Sequence, residues 1–215
     1  MDERRSVVDG AARLLQALPD TTGERQIARL AELTALPRPT VHRLLAQLRE
    51  NGLVEWRNGR WMLGTAVLQL AHRVEPFAGL RAASARVIQY LRDQTGAAVS
   101  LVVPNEKAFV ALEMIPGRDD LPIEAHAGAV MPLDTAAALV LHPVAAARAR
   151  LRPFRGAVDQ EHVLPGLSCY AVGVLLHDGQ RVGLQIATPA SRPAERYAAA
   201  VHRAGTDLQR LMQAD

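Results

Sequence analysis

Arginine is the residue type in this sequence whose number and spacing most strongly suggest chemistry. All but one of the 25 basic residues are arginines, the exception being Lys107, and five of them lie between Leu36 and Gly64 beside only two glutamates. A guanidinium group is a planar fork that donates two hydrogen bonds to a phosphate or to the O6 and N7 atoms of guanine. This stretch is therefore a candidate contact for nucleic acid, whereas a general compositional preference explains the other arginines equally well.

Three helices are predicted to position these arginines. Apolar residues recur at spacings of three and four over residues 4–18 and again over residues 27–33, which is the pattern of amphipathic helices. Two prolines at the start of residues 37–50 suit the first turn of a third helix, and Asn51-Gly52 is a good left-handed end for it.

A hairpin is predicted directly after the third helix. Asn58-Gly59 separates two short strand-like runs at residues 53–57 and 60–63, and this dipeptide favours a type I′ turn because both of its residues tolerate positive φ. Three helices followed by a hairpin form a winged helix-turn-helix, whose third helix enters the major groove of DNA. The predicted DNA contacts are the outward residues of that helix and the residues of the wing: Arg38, Pro39, Thr40, His42, Arg43, Gln47, Arg57, Asn58 and Arg60.

Two alternatives stay open for this cluster. Winged helices also serve in protein contacts, so the same face can be a solvated polar surface or a protein-binding surface. His42, considered alone, is more typical of an ordinary surface histidine than of a residue that contacts bases.

The remainder of the chain alternates helices and strands. A linker helix is predicted over residues 65–79, which would separate a domain at 1–64 from a second domain at 80–215. The predicted elements of the second domain are a helix at 80–94, strands at 97–104, 108–115 and 121–127, an alanine-rich helix at 136–152 interrupted by Pro143, a hairpin of strands at 170–177 and 181–188, and a closing helix at 193–212. The predicted fold class is α+β, with helices packed on an antiparallel sheet.

Catalytic and metal-binding patterns are weak in this sequence. The single cysteine, Cys169, excludes an internal disulfide and cannot supply a four-ligand zinc site. A thiolate activated by His162 or His177 would be a nucleophile or redox sensor, but a buried structural cysteine is the favoured interpretation. Asp159, Glu161 and His162 are the one acid–histidine cluster, and the histidines show neither metal-ligand spacing nor a catalytic signature. We therefore expect no cofactor, no bound metal and no enzymatic activity.

The net charge and the hydropathy of the sequence are consistent with a protein that binds nucleic acid. The net charge is +3 and the pI is about 9.6, which permits such a partner without requiring it. No apolar run approaches the roughly 18–20 residues that a membrane helix needs, and residues 1–5 lack the apolar core of a signal peptide. We therefore expect a cytoplasmic protein without membrane contact.

Several segments resemble the IclR family of bacterial transcriptional regulators. The resemblance is most specific at Leu-Pro-Arg-Pro-Thr-Val-His-Arg-Leu-Leu (36–45), Asn-Gly-Leu-Val (51–54) and Trp-Met-Leu-Gly (61–64). Further matches are Gly-Ala-Val-Met-Pro-Leu (128–133), Asp-Gln-Glu (159–161), Gly-Leu-Ser-Cys (166–169) and Pro-Ala-Ser-Arg (189–192). Together they span nearly the whole chain.

The resemblance implies that the second domain is a GAF-like effector domain which closes on small organic acids or related metabolites. The pocket residues it implies are Ile123, Met131, Ala136, Ala137, Asp159, Leu167, Cys169, Gln185 and Ala187. Backbone amides near Ala136 would hold a carboxylate. It further implies a homodimer or tetramer, most often a repressor, in which the effector shifts the spacing of two DNA-binding heads.

This chain departs from the family pattern in ways that bear on the effector. The segment between Leu141 and Gly156 is shorter than in the family, the residues after the Pro-Leu motif differ, and Gln185 and Ala187 stand where serines are frequent. We therefore expect a different effector, or none. The function predicted is a sequence-specific DNA-binding regulator, and the alternatives are a ligand-binding or protein-interaction module and an enzyme acting through Cys169.

Overall fold

The chain folds as two compact units, Met1–Val74 and Glu75–Asp215. The computed structural model describes residues 7–106, 108–123, 125–142 and 153–213. No helix in those ranges has both the length and the apolar composition that a bilayer-spanning helix requires.

The N-terminal unit consists of three helices, a hairpin and a fourth helix. Its elements are α1 (Val7–Ala17), α2 (Gln26–Thr34), α3 (Arg38–Glu50), β1 (Val54–Arg57), β2 (Arg60–Leu63) and α4 (Thr65–Ala71). Leu14, Leu30 and Leu45 are fully buried in its core, since each lies on the apolar face of its helix. The predicted order of three helices and a hairpin is confirmed.

The ends of α3 and of the hairpin follow from local backbone chemistry. Pro37 precedes α3 with φ −58°, and the chain leaves the helix through Gly52 at φ +68°. Asn58 and Gly59 have φ values of +52° and +75°, as a type I′ turn requires, and strands β1 and β2 pair antiparallel around them. Beyond the hairpin, a Cβ on Gly64 would lie 2.1 Å from the carbonyl oxygen of Gly52, so only glycine fits there.

The C-terminal unit is built on one six-stranded antiparallel sheet. Its elements are α5 (Leu80–Thr95), β3 (Ala98–Pro104), β4 (Phe109–Ile115), β5 (Val130–Met131), α6 (Ala136–Leu141), a 3₁₀ turn (Pro153–Arg155), β6 (Ala157–Gln160), β7 (Leu167–Leu175), β8 (Arg181–Pro189), a 3₁₀ turn (Ala194–Tyr197) and α7 (Ala198–Gln213). The strand order is β5-β4-β3-β8-β7-β6. The predicted α+β class is confirmed.

The two faces of this sheet carry different cores. Successive side chains of a strand point to opposite faces, so Tyr170 and Ile186 pack with helices α5 and α7, whereas their neighbours Cys169 and Ala187 pack on the other side with α6. Strands β7 and β8 are therefore covered on both faces, which explains their long apolar runs.

Two secondary-structure predictions need correction. The strand predicted at 121–127 is absent from its described residues: Pro122 has no N–H to donate, and the amide of Ile123 bonds back to Leu121 at 2.7 Å. The short strand β5 pairs with β4 instead. Strand β6 was not predicted, because its four residues form a strand only by pairing with β7.

The alanine-rich helix predicted at 136–152 ends earlier than expected within the described residues. Helix α6 ends at Leu141, and residues 143–152 lie outside the described residues. Helix α4 likewise ends at Ala71, earlier than the predicted linker helix.

Candidate functional site

The outer face of α3 is a polar surface. Val41, Leu44, Leu45 and Leu48 are buried, which turns the intervening residues outward. Arg38, Pro39, His42, Arg43 and Gln47 are exposed and Thr40 is half-buried. Within the described part of the chain, neither Arg38 nor Arg43 forms an ion pair, so both guanidinium groups can bind an external anion.

The wing adds further basic groups next to α3. Arg57, Asn58 and Arg60 are exposed at the turn of the hairpin, and Arg57 forms an ion pair with Glu55 at 3.2 Å. Surface pairs of this kind are weak, so Arg57 can exchange Glu55 for a phosphate.

A cleft between α2 and α3 brings in basic residues that the sequence did not single out. Arg25 and Arg29 line it together with Arg38 and His42, while Arg29 is bonded to Glu32 at 3.1 Å. The helical pattern of α2 alone gave no sign of this, because the cleft depends on how α2 packs against α3.

Gln26 fixes the wing to the helices. Its side-chain Nε2 donates to the carbonyl of Trp61 at 2.8 Å and to the carbonyl of Thr21 at 3.0 Å, and its Oε1 accepts from the amide of Trp61 at 2.8 Å. Gln26 is buried, so these bonds are protected from water. This residue therefore sets the position of the hairpin relative to α2.

A cavity of about 380 Å³ lies in the C-terminal unit, within the size range of small-molecule sites. Seven of the nine implied pocket residues line it: Ile123, Met131, Asp159, Leu167, Cys169, Gln185 and Ala187. Ala136 and Ala137 are not among the lining residues, because both are fully buried at the start of α6. The remaining lining residues are Met114, Ala129, Val130, Pro132, Thr135, Val163 and Leu164.

The floor of the cavity is a row of side chains across three strands. Asp159 of β6 is paired with Cys169 of β7, which is paired with Ala187 of β8. Adjacent strands lie about 4.8 Å apart, so the row extends across roughly 10 Å. Gln185, two residues from Ala187 on the same strand, faces the same side.

Asp159 is a buried carboxylate held by the turn that follows it. It is 2% exposed, and its Oδ1 accepts hydrogen bonds from the backbone amides of His162 at 3.0 Å and Val163 at 3.4 Å. The same atom lies 3.8 Å from Nδ1 of the exposed His162.

Cys169 is not suited to nucleophilic chemistry. Burial, together with the charge of Asp159, raises the pKa of its thiol to about 12. The group is therefore a neutral thiol near pH 7 and acts as an apolar wall of the cavity.

The start of α6 is closed by hydrogen bonds within the chain. The amide of Ala137 donates to Oε1 of Gln185 at 2.8 Å, and the amide of Ala138 donates to Oγ1 of Thr135 at 3.4 Å. Gln185 is itself 3% exposed.

Sequence and structure comparisons both lead to one group of proteins. The model of the IclR helix-turn-helix domain matches residues 7–58. A protein of Cupriavidus necator named "Probable transcriptional regulator SauR" is 30% identical over 125 residues, which cover 57% of this chain and 50% of SauR. The matched part of this chain thus spans half the length of that curated relative.

Solved structures share the fold over almost the full chain. The IclR protein of Thermotoga maritima has a TM-score of 0.71 at 16% identity, with 95% of this chain and 98% of that one covered. An IclR homolog from Microbacterium hydrocarbonoxydans, complexed with 4-hydroxybenzoate, has a TM-score of 0.75 at 15% identity, with 98% and 100% covered.

The fold and the polar face of α3 define a two-unit protein with a winged helix-turn-helix and a cavity-bearing α+β unit. Residues 7–58 match the IclR helix-turn-helix domain, and the chain as a whole shares the fold of solved IclR proteins. SauR is named as a probable transcriptional regulator.

Proposed function

We propose that this protein is a sequence-specific DNA-binding transcriptional regulator whose operator binding changes when a small organic metabolite occupies the cavity of the C-terminal unit. The observation that carries the proposal is the exposed face of α3, with Arg38 and Arg43 free of ion pairs within the described residues. In the family this arrangement most often serves repression, and we include that role in the proposal.

In this proposal α3 enters the major groove of double-stranded DNA. Arg38 and Arg43 bind guanine edges or phosphates, Gln47 meets an adenine, and Thr40 contacts a phosphate or a thymine methyl group. The wing residues Arg57, Asn58 and Arg60 contact the neighbouring phosphates or minor groove, which adds affinity that falls as salt rises.

The ligand site of the proposal is the cavity above strands β6, β7 and β8. Its volume and mainly apolar walls suit a small organic molecule. The structural relative from Microbacterium hydrocarbonoxydans is complexed with 4-hydroxybenzoate, which supports ligand binding in this fold.

The protein acts as a homo-oligomer in this proposal, most simply a dimer. Helix α4 has no buried residue, and Leu68 and Leu70 are 60% and 57% exposed. On α1, Val7 and Val8 are also exposed. A helix whose leucines are exposed in this way is typical of a surface covered by a partner, and with a second copy of the chain the assembly would have two DNA-binding heads.

The test of DNA binding is the Arg43→Ala variant, with Arg181→Ala as the matched control, since Arg181 is exposed on the C-terminal unit. A consensus duplex is first selected from random DNA with the full-length protein. Arg43→Ala is expected to weaken binding by about 1–3 kcal/mol, or to lower the salt slope by about one if the contact is a phosphate, whereas Arg181→Ala leaves both unchanged.

Two results would count against the proposal. If selection enriches no motif, the winged helix serves a protein contact instead. If Arg43→Ala keeps both the affinity and the salt slope of the unmodified protein, α3 is not the DNA-reading element.

A further inference from the structure

The walls of the cavity offer no positive charge to a ligand. All but three of its fourteen lining residues are apolar, the exceptions being Thr135, Asp159 and Gln185. Among the described residues that line it there is no arginine, lysine or histidine. An anionic group placed there would lose its hydration without gaining a counter-ion, which is costly in an apolar cavity.

Two of the backbone amides that could replace a counter-ion are already engaged. The amide of Ala137 donates to Gln185 and that of Ala138 donates to Thr135. Helix α6 is six residues long, so it contributes little dipole of its own. The side chain of Gln185 thus occupies the position that a ligand carboxylate would need to reach Ala137.

Asp159 strengthens the discrimination against anions. Its carboxylate is 2% exposed and lines the same cavity. Like charges in a poorly solvated site repel strongly. A ligand carboxylate near this end of the row would therefore be destabilised further.

The remaining polar atoms of these two side chains suit a neutral ligand. Among the described residues, Nε2 of Gln185 and Oδ2 of Asp159 have no hydrogen-bond partner, although both side chains are more than nine-tenths buried. Nε2 is a donor and Oδ2 is an acceptor, so they fit a ligand with one group that accepts a hydrogen bond from Gln185 and another that donates a hydrogen bond to Asp159. The sulfur atoms of Met114 and Met131 provide favourable contacts for an aromatic ring.

We infer that the cavity takes an uncharged, mainly apolar ligand of about the size of one substituted aromatic ring, which hydrogen-bonds Gln185 and Asp159 through separate hydroxyl or amide groups, and that it discriminates against carboxylates. This inference rests on the proposed ligand-binding function. It differs from the organic acid that the family resemblance implies, because Gln185 already accepts the hydrogen bond of the Ala137 amide that such an acid would use.

The first experiment compares two probes that differ in one group. Binding of 4-hydroxybenzamide and of 4-hydroxybenzoate to the full-length protein is measured by isothermal titration calorimetry at pH 7.5. The neutral amide is expected to bind at least about tenfold more tightly than the carboxylate.

The second experiment reverses the preference by substitution. Gln185→Ser shortens the side chain and releases the amide of Ala137, so 4-hydroxybenzoate is expected to gain about tenfold or more in affinity. Asp159→Asn removes a charge with little change in shape and is expected to favour the carboxylate as well. Gln180→Ser, on the exposed turn of the β7–β8 hairpin, is the control and leaves both affinities unchanged. Circular dichroism of each variant checks its fold.

The possible failures are distinguishable. Equal affinity for the two probes, tighter binding of 4-hydroxybenzoate by the unmodified protein, or no gain for the carboxylate in either folded variant overturns the inference and leaves ligand binding intact. If neither probe binds the unmodified protein, the inference falls together with the effector half of the proposed function. Operator binding, measured on the same preparations, shows independently whether the DNA-binding half stands.

Discussion

Replacing Gln26 by alanine should loosen the wing without altering any charged or exposed residue. The side chain is buried between α2 and the hairpin, and its amide makes three hydrogen bonds of 3.0 Å or less, two to Trp61 and one to Thr21. Alanine removes all three and leaves the backbone amide and carbonyl of Trp61 without their partner.

The expected loss follows from those contacts. A protein hydrogen bond contributes about 1 kcal/mol net, and a buried polar group left unsatisfied costs about 1–3 kcal/mol. Three lost bonds, with the Trp61 groups only partly buried, give about 3 kcal/mol of lost unfolding free energy. A small domain is stabilised by roughly 5–15 kcal/mol, so the N-terminal unit should remain folded but with a much lower free energy of unfolding.

The protein carries its own reporter for this measurement. Its two tryptophans, Trp56 and Trp61, are both in the wing, with ring centroids 5.4 Å apart in an edge-to-face arrangement. Urea unfolding followed by tryptophan emission therefore reports the hairpin and the unit around it. Gln47→Ala is the matched control, since its side chain is exposed on α3 and should change stability by less than about 0.5 kcal/mol.

A clear result would refute this reasoning. If Gln26→Ala loses no more unfolding free energy than Gln47→Ala, the Gln26 amide does not hold the wing. A tryptophan spectrum of the folded variant identical to that of the unmodified protein, at equal stability, would lead to the same conclusion.

Two further predictions concern self-association and the thiol. Leu68→Asn on α4 should raise the dissociation constant of the oligomer by tenfold or more, as measured by sedimentation velocity. Leu133→Asn is the control, because Leu133 is similarly exposed on the C-terminal unit and its substitution should leave the dissociation constant unchanged. Equal effects of the two substitutions would show that the interface lies elsewhere. Because burial raises the pKa of Cys169 to about 12, its thiol stays protonated at pH 7.5. Iodoacetamide at that pH should therefore label Cys169 in urea but not in the native protein, as followed by mass spectrometry. Rapid labelling of the native protein would contradict the burial argument.

Local signals in the sequence predicted the N-terminal unit well. The buried spacing of α3, the proline before it and the Asn58-Gly59 turn are each determined by a few neighbouring residues. The outward position of Arg38 and Arg43 followed directly from that spacing. Whether these side chains contact DNA stays a prediction.

Local sequence patterns did not predict the tertiary contacts. Gln26 meets Trp61 across 35 residues, and Gln185 meets Ala137 across 48, and nothing in either local pattern indicates these bonds. The family resemblance brought Asp159, Cys169 and Ala187 to one cavity. It did not show that Gln185 bonds the start of α6, because that contact depends on a residue in which this chain departs from the family.

The two-sided burial of strands β7 and β8 has a mechanical consequence. Ile186 lies between Gln185 and Ala187 in sequence, yet its side chain reaches the opposite core, where α5 packs. A ligand that displaces β8 would therefore also displace the core on the opposite face, where α7 packs against this strand.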